Sequence, residues 1–199
     1  MSLHADALAV LRGWSAPSPA QEAVRRRFVD HLERNPDGMT RGCRPDHLTA
    51  SVLVLDQKLS RALLTLHAKS GRWFQFGGHT EADDETLAGA AMRESVEESG
   101  LAPVELDLHP TPVLLDEHPV PFCWPGQEVH HLDVMYVAIA RDGARHEVSA
   151  ESLDVAWWPL DALPDEHLLR FVRPALGVFQ STSEPGGDSS WAAADQPVR

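Results

Sequence analysis

Glu94, Glu97 and Glu98 stand close together beside Arg93, in a segment that opens on Gly77-Gly78 and closes on Gly100-Leu101. A helix turns once in about 3.6 residues, so positions i, i+3 and i+4 project from one face, and these three carboxylates come within reach of a single point. Unpaired, such neighbours repel by roughly 0.2–0.5 kcal/mol per pair, and one arginine cannot neutralise three acids. A divalent cation among them removes the conflict, and ligation by oxygen alone favours Mg²⁺ or Mn²⁺. A merely solvated acidic face accounts for neither the glycine pair ahead of the helix nor the glycine stop behind it.

The order R-E-x-x-E-E-x-G, with Glu85 ahead of it, resembles the core signature of the Nudix hydrolase family. Glu85, Arg93, Glu94, Glu97, Glu98, Gly100 and Leu101 all fall on its defining positions. Two positions depart from it. His79 stands where the leading glycine is expected, so that Gly77 and Gly78 arrive early in a lengthened loop, and Ser95 replaces an apolar residue, which is expected to weaken the packing of the helix on its sheet.

The resemblance implies hydrolysis of a diphosphate linked to another moiety, with a nucleotide or nucleotide-sugar as the small phosphorylated substrate. It makes Glu94 and Glu98 the first metal ligands and Glu97 a third ligand or the holder of a second ion, with a backbone carbonyl of Gly77 or Gly78 completing the set. Arg93 then orients a neighbouring carboxylate, for which the family pattern offers Glu85. The general base is drawn from the signature helix, where Glu97 stands, or from a later loop, where Glu151 is the candidate and Glu147 its reserve. His79 and Glu85 are the candidates on the substrate side. Isopentenyl diphosphate isomerases share the implied fold and have C-G-H where this chain has Gly77-Gly78-His79; glycine in place of the thiol favours hydrolysis. The other alternative is a non-catalytic nucleotide sensor, against which the three retained glutamates argue.

Seventeen basic and thirty acidic residues in a chain of 199 give a formal charge of -13, which disfavours a broad nucleic-acid interface. Locally clustered arginines, Arg25, Arg26 and Arg27, are left as possible aids to a phosphorylated ligand. Cys43 and Cys123 have neither zinc-finger nor disulfide-framework spacing, no apolar run reaches membrane-span length, and no secretory leader is evident, so the expectation is a cytoplasmic protein. Eleven histidines raise the question of zinc. His130 and His131 are adjacent on a predicted strand and face opposite sides, which argues against it.

Positioning these groups requires a strand and loop before the acidic helix. Helical spacing covers residues 4–14 and 19–34, with Ser18 as a cap ahead of Pro19. Strand texture follows at 48–56 and 60–67 as a hairpin, then at Trp73 to Phe76, where the aromatic rings offer either core packing or a stacking surface. Asp83 or Asp84 is the expected cap of the acidic helix, Leu87, Ala90, Ala91 and Val96 its buried side, and Gly100 its left-handed stop. Further strands are expected within 103–116, 129–140 and 155–160, and a last helix over 165–179, bent at Pro174. This order gives a mixed sheet with helices on its faces, and the Nudix resemblance sharpens it to an α/β/α sandwich. The expected organisation is an N-terminal helical extension over residues 1–44, a Nudix domain over 45–180, and a tail over 181–199 with the composition of a disordered segment. The added helices and the tryptophan content are compatible with a homodimer.

Overall fold

The computed structural model describes residues 1–120, 126, 128–149 and 152–180. The proposed tail over 181–199, Glu151 and Cys123 lie outside the described residues. Helices α1 (Leu3–Gly13) and α2 (Pro19–Arg34) lead into β1 (His47–Asp56), β2 (Arg61–His67), β3 (Trp73–Phe74), β4 (Phe76–His79) and the acidic helix α3 (Leu87–Ser99). After it come β5 (Leu106–Leu108), β6 (Leu114–Pro119), β7 (His130–Ala140), β8 (Ser152–Pro159) and α4 (Leu169–Gln180).

One mixed sheet of eight strands is built on two long neighbours, β1 and β7, which run parallel with His47 opposite His131 and Asp56 opposite Ala140. Every other pairing is antiparallel. The free edge of β1 is shared. Its last residues pair β2, as the expected hairpin requires, while Thr49 to Val52 pair β4. That division draws β4 and the start of α3 away from β2 and leaves a cleft at the N-terminal half of β1.

Alternation along β1 assigns each residue to a face. Leu48, Ala50, Val52 and Val54 enter a core shared with α1, α2 and α3, whereas Leu53 and Leu55 join Phe171, Val172 and Ala175 of α4 in a second core. This is the expected three-layer sandwich. The N-terminal helices are integral to it. Ala7, Leu11, Phe28 and Leu32 are buried in the first core, the Trp14 indole donates to the Pro112 carbonyl at 2.7 Å, and the Gln21 amide exchanges both of its hydrogen bonds with the Leu115 backbone at 2.9 Å.

Local signals explain most element ends. Ser18 caps α2 by accepting from Gln21, with Pro19 at the first helical position. Gly100 ends α3 in the left-handed region at φ 70°, and a β-carbon there would meet the backbone of Glu147 at 2.9 Å. The cap of α3 is neither Asp83 nor Asp84 but Thr86, whose hydroxyl accepts from Gly89 at 2.9 Å, and Leu87 donates its amide to Asp6 of α1. Asp84 is drawn away by Arg93, as described below. Ser95 occupies a fully buried place in the apolar stripe, and its hydroxyl has no hydrogen-bond partner among the described residues; Val96 is only partly covered. Pro174 lies inside α4 as expected.

Candidate active site

β4 and α3 meet at two glycines whose need is steric. A β-carbon on Gly77 would lie 2.4 Å from the Ser51 β-carbon, and its φ of 155° further disfavours any side chain. A β-carbon on Gly78 would lie 2.8 Å from all three carboxylate atoms of Glu94. The backbone of β4 therefore runs directly against the acidic helix. Gly77 donates its amide to Glu98 Oε2 at 3.0 Å, which fixes the rotamer of this buried carboxylate.

Arg93 organises the opposite side of the acidic group. Its guanidinium binds Asp84 through two bonds of 3.1 and 3.0 Å, the His79 carbonyl at 3.0 Å, and one oxygen each of Glu94 and Glu97 at 3.0 Å. The expected partner, Glu85, is replaced by Asp84. Thr86 caps the helix in an extended conformation, Asp84 ahead of it is half-buried against Arg93, and Glu85 is exposed. Hydrogen bonding to Arg93 and Glu81 lowers the Asp84 carboxyl against the upward pull of desolvation, so it stays ionised. Glu94 is largely covered, with 15% of its side chain exposed, while Glu97 is the outermost of the three at 56%.

A cavity of about 460 Å³ opens beside these groups. Gly77, Gly78 and Glu98 form one wall, Thr49, Ser51 and Asp133 the floor, and Arg72, Phe74 and Arg170 part of the far rim. The floor carries a buried network in which Thr49 and Ser51 donate to the two oxygens of Asp133 at 2.9 and 2.5 Å. Burial pushes the Asp133 carboxyl up, a trend these hydroxyls oppose. Asp116 stands opposite Asp133 in the β6–β7 register and binds His118 at 2.8 Å and Arg170 at 3.0 Å. Arg72 pairs with Asp165 at 2.7 Å.

Sequence reasoning missed Asp133, Arg72 and Arg170, because each reaches the cavity only through strand register or through α4. Of the three candidate stacking rings, only Phe74 lines the cavity; Phe76 is in the first core and Trp73 packs edge-on against Trp158 at 5.3 Å. Arg25 and Arg26 bind Glu22 and Arg27 pairs with Glu117, so the arginine cluster is spent on helix and sheet contacts and none of it lines the cavity. Glu147 is exposed, and its amide donates to the Ser99 carbonyl at the end of α3 at 2.8 Å.

His79 does not line the cavity. It turns toward His47 and His131, with ring centroids 5.0 and 4.8 Å away. His47, His79 and His131 come from three different strands, so the opposite facing of the adjacent His130 and His131, which counts against zinc at that pair, has no bearing on this group. Desolvation, then the mutual repulsion of the rings, lowers His79 to about 4 and His131 to about 2, and desolvation also lowers His47, so all three are neutral at pH 7.

No helix among the described residues is long and apolar enough to cross a membrane. No curated protein is similar enough in sequence to count as a relative. Among solved structures, the chain resembles the dihydroneopterin triphosphate pyrophosphohydrolase of Escherichia coli, with 16% identity and a TM-score of 0.54 over 65% of this chain and 95% of that one. An Ap4A hydrolase of Caenorhabditis elegans gives 17% and 0.52, covering 67% and 97%. A NUDIX-family hydrolase of Clostridium perfringens gives 22% and 0.50 over the same shares. At such identities the likeness establishes the fold. The NUDIX domain profile matches residues 45–176, the span that holds the acidic helix, the glycine pair and the cavity, and the chain belongs to the Nudix hydrolase family as an enzyme of the pyrophosphohydrolase class.

Proposed function

We propose that the chain hydrolyses the diphosphate linkage of a nucleoside diphosphate joined to another moiety, with Mg²⁺ or Mn²⁺ held by Glu94 and Glu98, Glu97 as third ligand, and a carbonyl of Gly77 or Gly78. The observation that carries this reading is the close apposition of the β4 glycines to Glu94 and Glu98 at the wall of a cavity large enough for a nucleotide fragment. An all-oxygen donor set suits a hard divalent ion. When bound, that ion would offset the charge of the diphosphate and raise the acidity of an attacking water.

The chain's own groups supply position and proton transfer. Glu98 is held by the Gly77 amide in a fixed rotamer, and Glu94 by Arg93, so two ligand oxygens are oriented before any substrate arrives. Arg93, anchored by Asp84, limits the mutual repulsion of the acids. Where it is not engaged as a ligand, Glu97, the most exposed of the three, is the base on the helix, with Glu151 as its alternative from the later loop. Arg72 and Arg170 at the rim suit phosphate oxygens, and Phe74 offers a face for a base or ring. His79 and Glu85, the two substrate-side candidates, stand away from the cavity and are assigned no contact. An isomerase would need a thiol at Gly77, where any side chain meets Ser51.

The test is a panel of nucleoside triphosphates, ADP-ribose, other nucleotide-sugars, Ap4A and dihydroneopterin triphosphate, each with Mg²⁺ or Mn²⁺, read by release of phosphate or monophosphate. Cleavage of at least one class, dependent on the ion, is expected. Binding without turnover across the panel would leave the sensor reading standing, and allylic isomer formation from isopentenyl diphosphate without phosphate release would favour the isomerase.

A further inference from the structure

Three adjacent strands, β4, β1 and β7, each place one imidazole on the same side of the sheet, at the N-terminal end of β1. His47 is in register with His131, and His79 pairs with Thr49, two residues along β1. One nitrogen from each ring lies within 4.8 Å of the other two, and the Nε2 atoms of His47 and His79 are 3.1 Å apart. Four-coordinate zinc with Zn–N bonds of about 2.0–2.1 Å holds its nitrogens about 3.3 Å apart. Two of the three rings are therefore already at ligand spacing, and the third needs to close by at most about 1.5 Å, within reach of side-chain rotation.

The ring of His47 is also aimed. Its Nδ1 lies 3.2 Å from the Cys43 carbonyl, which can only accept, so Nδ1 carries the proton and Nε2 turns its lone pair toward the cluster. A backbone carbonyl orienting the far nitrogen is the usual support of a metal-bound histidine. His47 is almost fully buried, at 2% exposure, so this orientation is set by packing as well. Between the two Nε2 atoms there is room for a single shared proton, and a cation at the centre takes its place.

We propose that His47, His79 and His131 form a second metal site, for a borderline transition ion such as Zn²⁺, distinct from the carboxylate site on α3. Nitrogen donors select such an ion over Mg²⁺, and the carboxylate oxygens select the reverse. His131 also lines the cavity, so a fourth position faces it, open to water or to an anionic oxygen. Gly77 and His79 lie two residues apart on the same side of β4, about 7 Å along the strand. The inference does not depend on which linkage the enzyme cleaves.

The experiment uses the full chain without a polyhistidine tag and Co²⁺ as the probe, followed by visible absorption and competition with Zn²⁺. Expected is one equivalent bound, with the intense bands of a low-coordinate nitrogen site, displaced by Zn²⁺ and unaffected by excess Mg²⁺. His79→Ala and His131→Ala should each weaken binding by at least about 100-fold, beyond what loss of outer-shell support causes. Glu98→Gln should bind as wild type, which separates failure of this site from failure of the carboxylate site. If the histidine variants do not fold, imidazole resonances of the wild-type protein serve instead, and those of His47, His79 and His131 should shift with one equivalent of Zn²⁺. Absence of saturable Co²⁺ binding, retention of the bands in folded histidine variants, loss of them in Glu98→Gln, or shifts confined to other histidines would overturn the proposal.

Discussion

The two halves of one face of β1 differ sharply. Leu53 and Leu55 are fully buried beneath α4, whereas His47, Thr49 and Ser51, on the same side of the same strand, are polar, and Thr49 and Ser51 line the cleft. The first half is held by apolar area. The second is held by hydrogen bonds to Asp133, by glycines that admit no β-carbon, and by imidazoles that stay neutral. The contrast shows where this enzyme gives up packing for chemistry: α4 covers only the apolar half, and the division of the β1 edge between β2 and β4 opens the other.

The largest effect should come from the tightest point of the polar half. Gly77→Ala places a methyl group against Ser51 in a backbone region side chains avoid, and should cost more than about 4 kcal/mol or abolish folding, as measured by urea denaturation. In the apolar half, Leu53→Ala should cost about 3 kcal/mol through lost burial and a cavity under α4, with little effect on turnover once folded. Thr49→Val, which removes one of the two donors to buried Asp133, should cost about 1–3 kcal/mol and should also change substrate affinity, because the network is the cavity floor. Equal effects of these last two variants on activity would break the comparison.

A pH dependence should set the halves apart again. The folded-state values of His79 and His131 lie below the ordinary 6.5, so the unfolded chain takes up protons that the folded chain refuses. The contribution is fully present above pH 6.5 and is lost as the pH falls toward about 4 for His79, and further for His131. His118, Arg41 and Lys69 face the same group and add to the effect. His131→Gln should flatten the decline of the urea midpoint between pH 7 and pH 5, while Leu53→Ala should leave its slope unchanged. The smallest effect should be a gain. Ser95→Ala removes a buried hydroxyl that lacks a partner among the described residues and should stabilise the protein by about 1 kcal/mol in thermal unfolding.

What the sequence made legible is what depends on local spacing. The acidic helix, its glycine stop, the Ser18 cap and the β1–β2 hairpin follow from periodicity and from single-residue preferences, and the glycine pair stands one residue early of the position the signature expects. What stayed hidden depends on register between distant segments. Asp133 joins Thr49 and Ser51 only because β1 and β7 run parallel in one register, and the histidine group needs three strands. Arg93 chose Asp84 over Glu85 because Thr86, not an aspartate, caps the helix, a choice between neighbouring residues that spacing alone does not decide. Phe74 and Phe76 carry the same side chain, and alternation along one strand would put both on one face; they part because the strand breaks at Gln75, between β3 and β4.

Turnover by Glu98→Gln, measured with Mg²⁺ or Mn²⁺ on whichever panel compound the wild-type enzyme cleaves, tests the central claim most directly. The substitution keeps the shape of a side chain that accepts from Gly77 while removing its charge. A fall in kcat of about 100-fold or more, with unchanged circular dichroism and thermal midpoint, is the result expected of a lost metal ligand. Wild-type turnover in the folded variant would contradict the assignment of α3 as the metal-binding element.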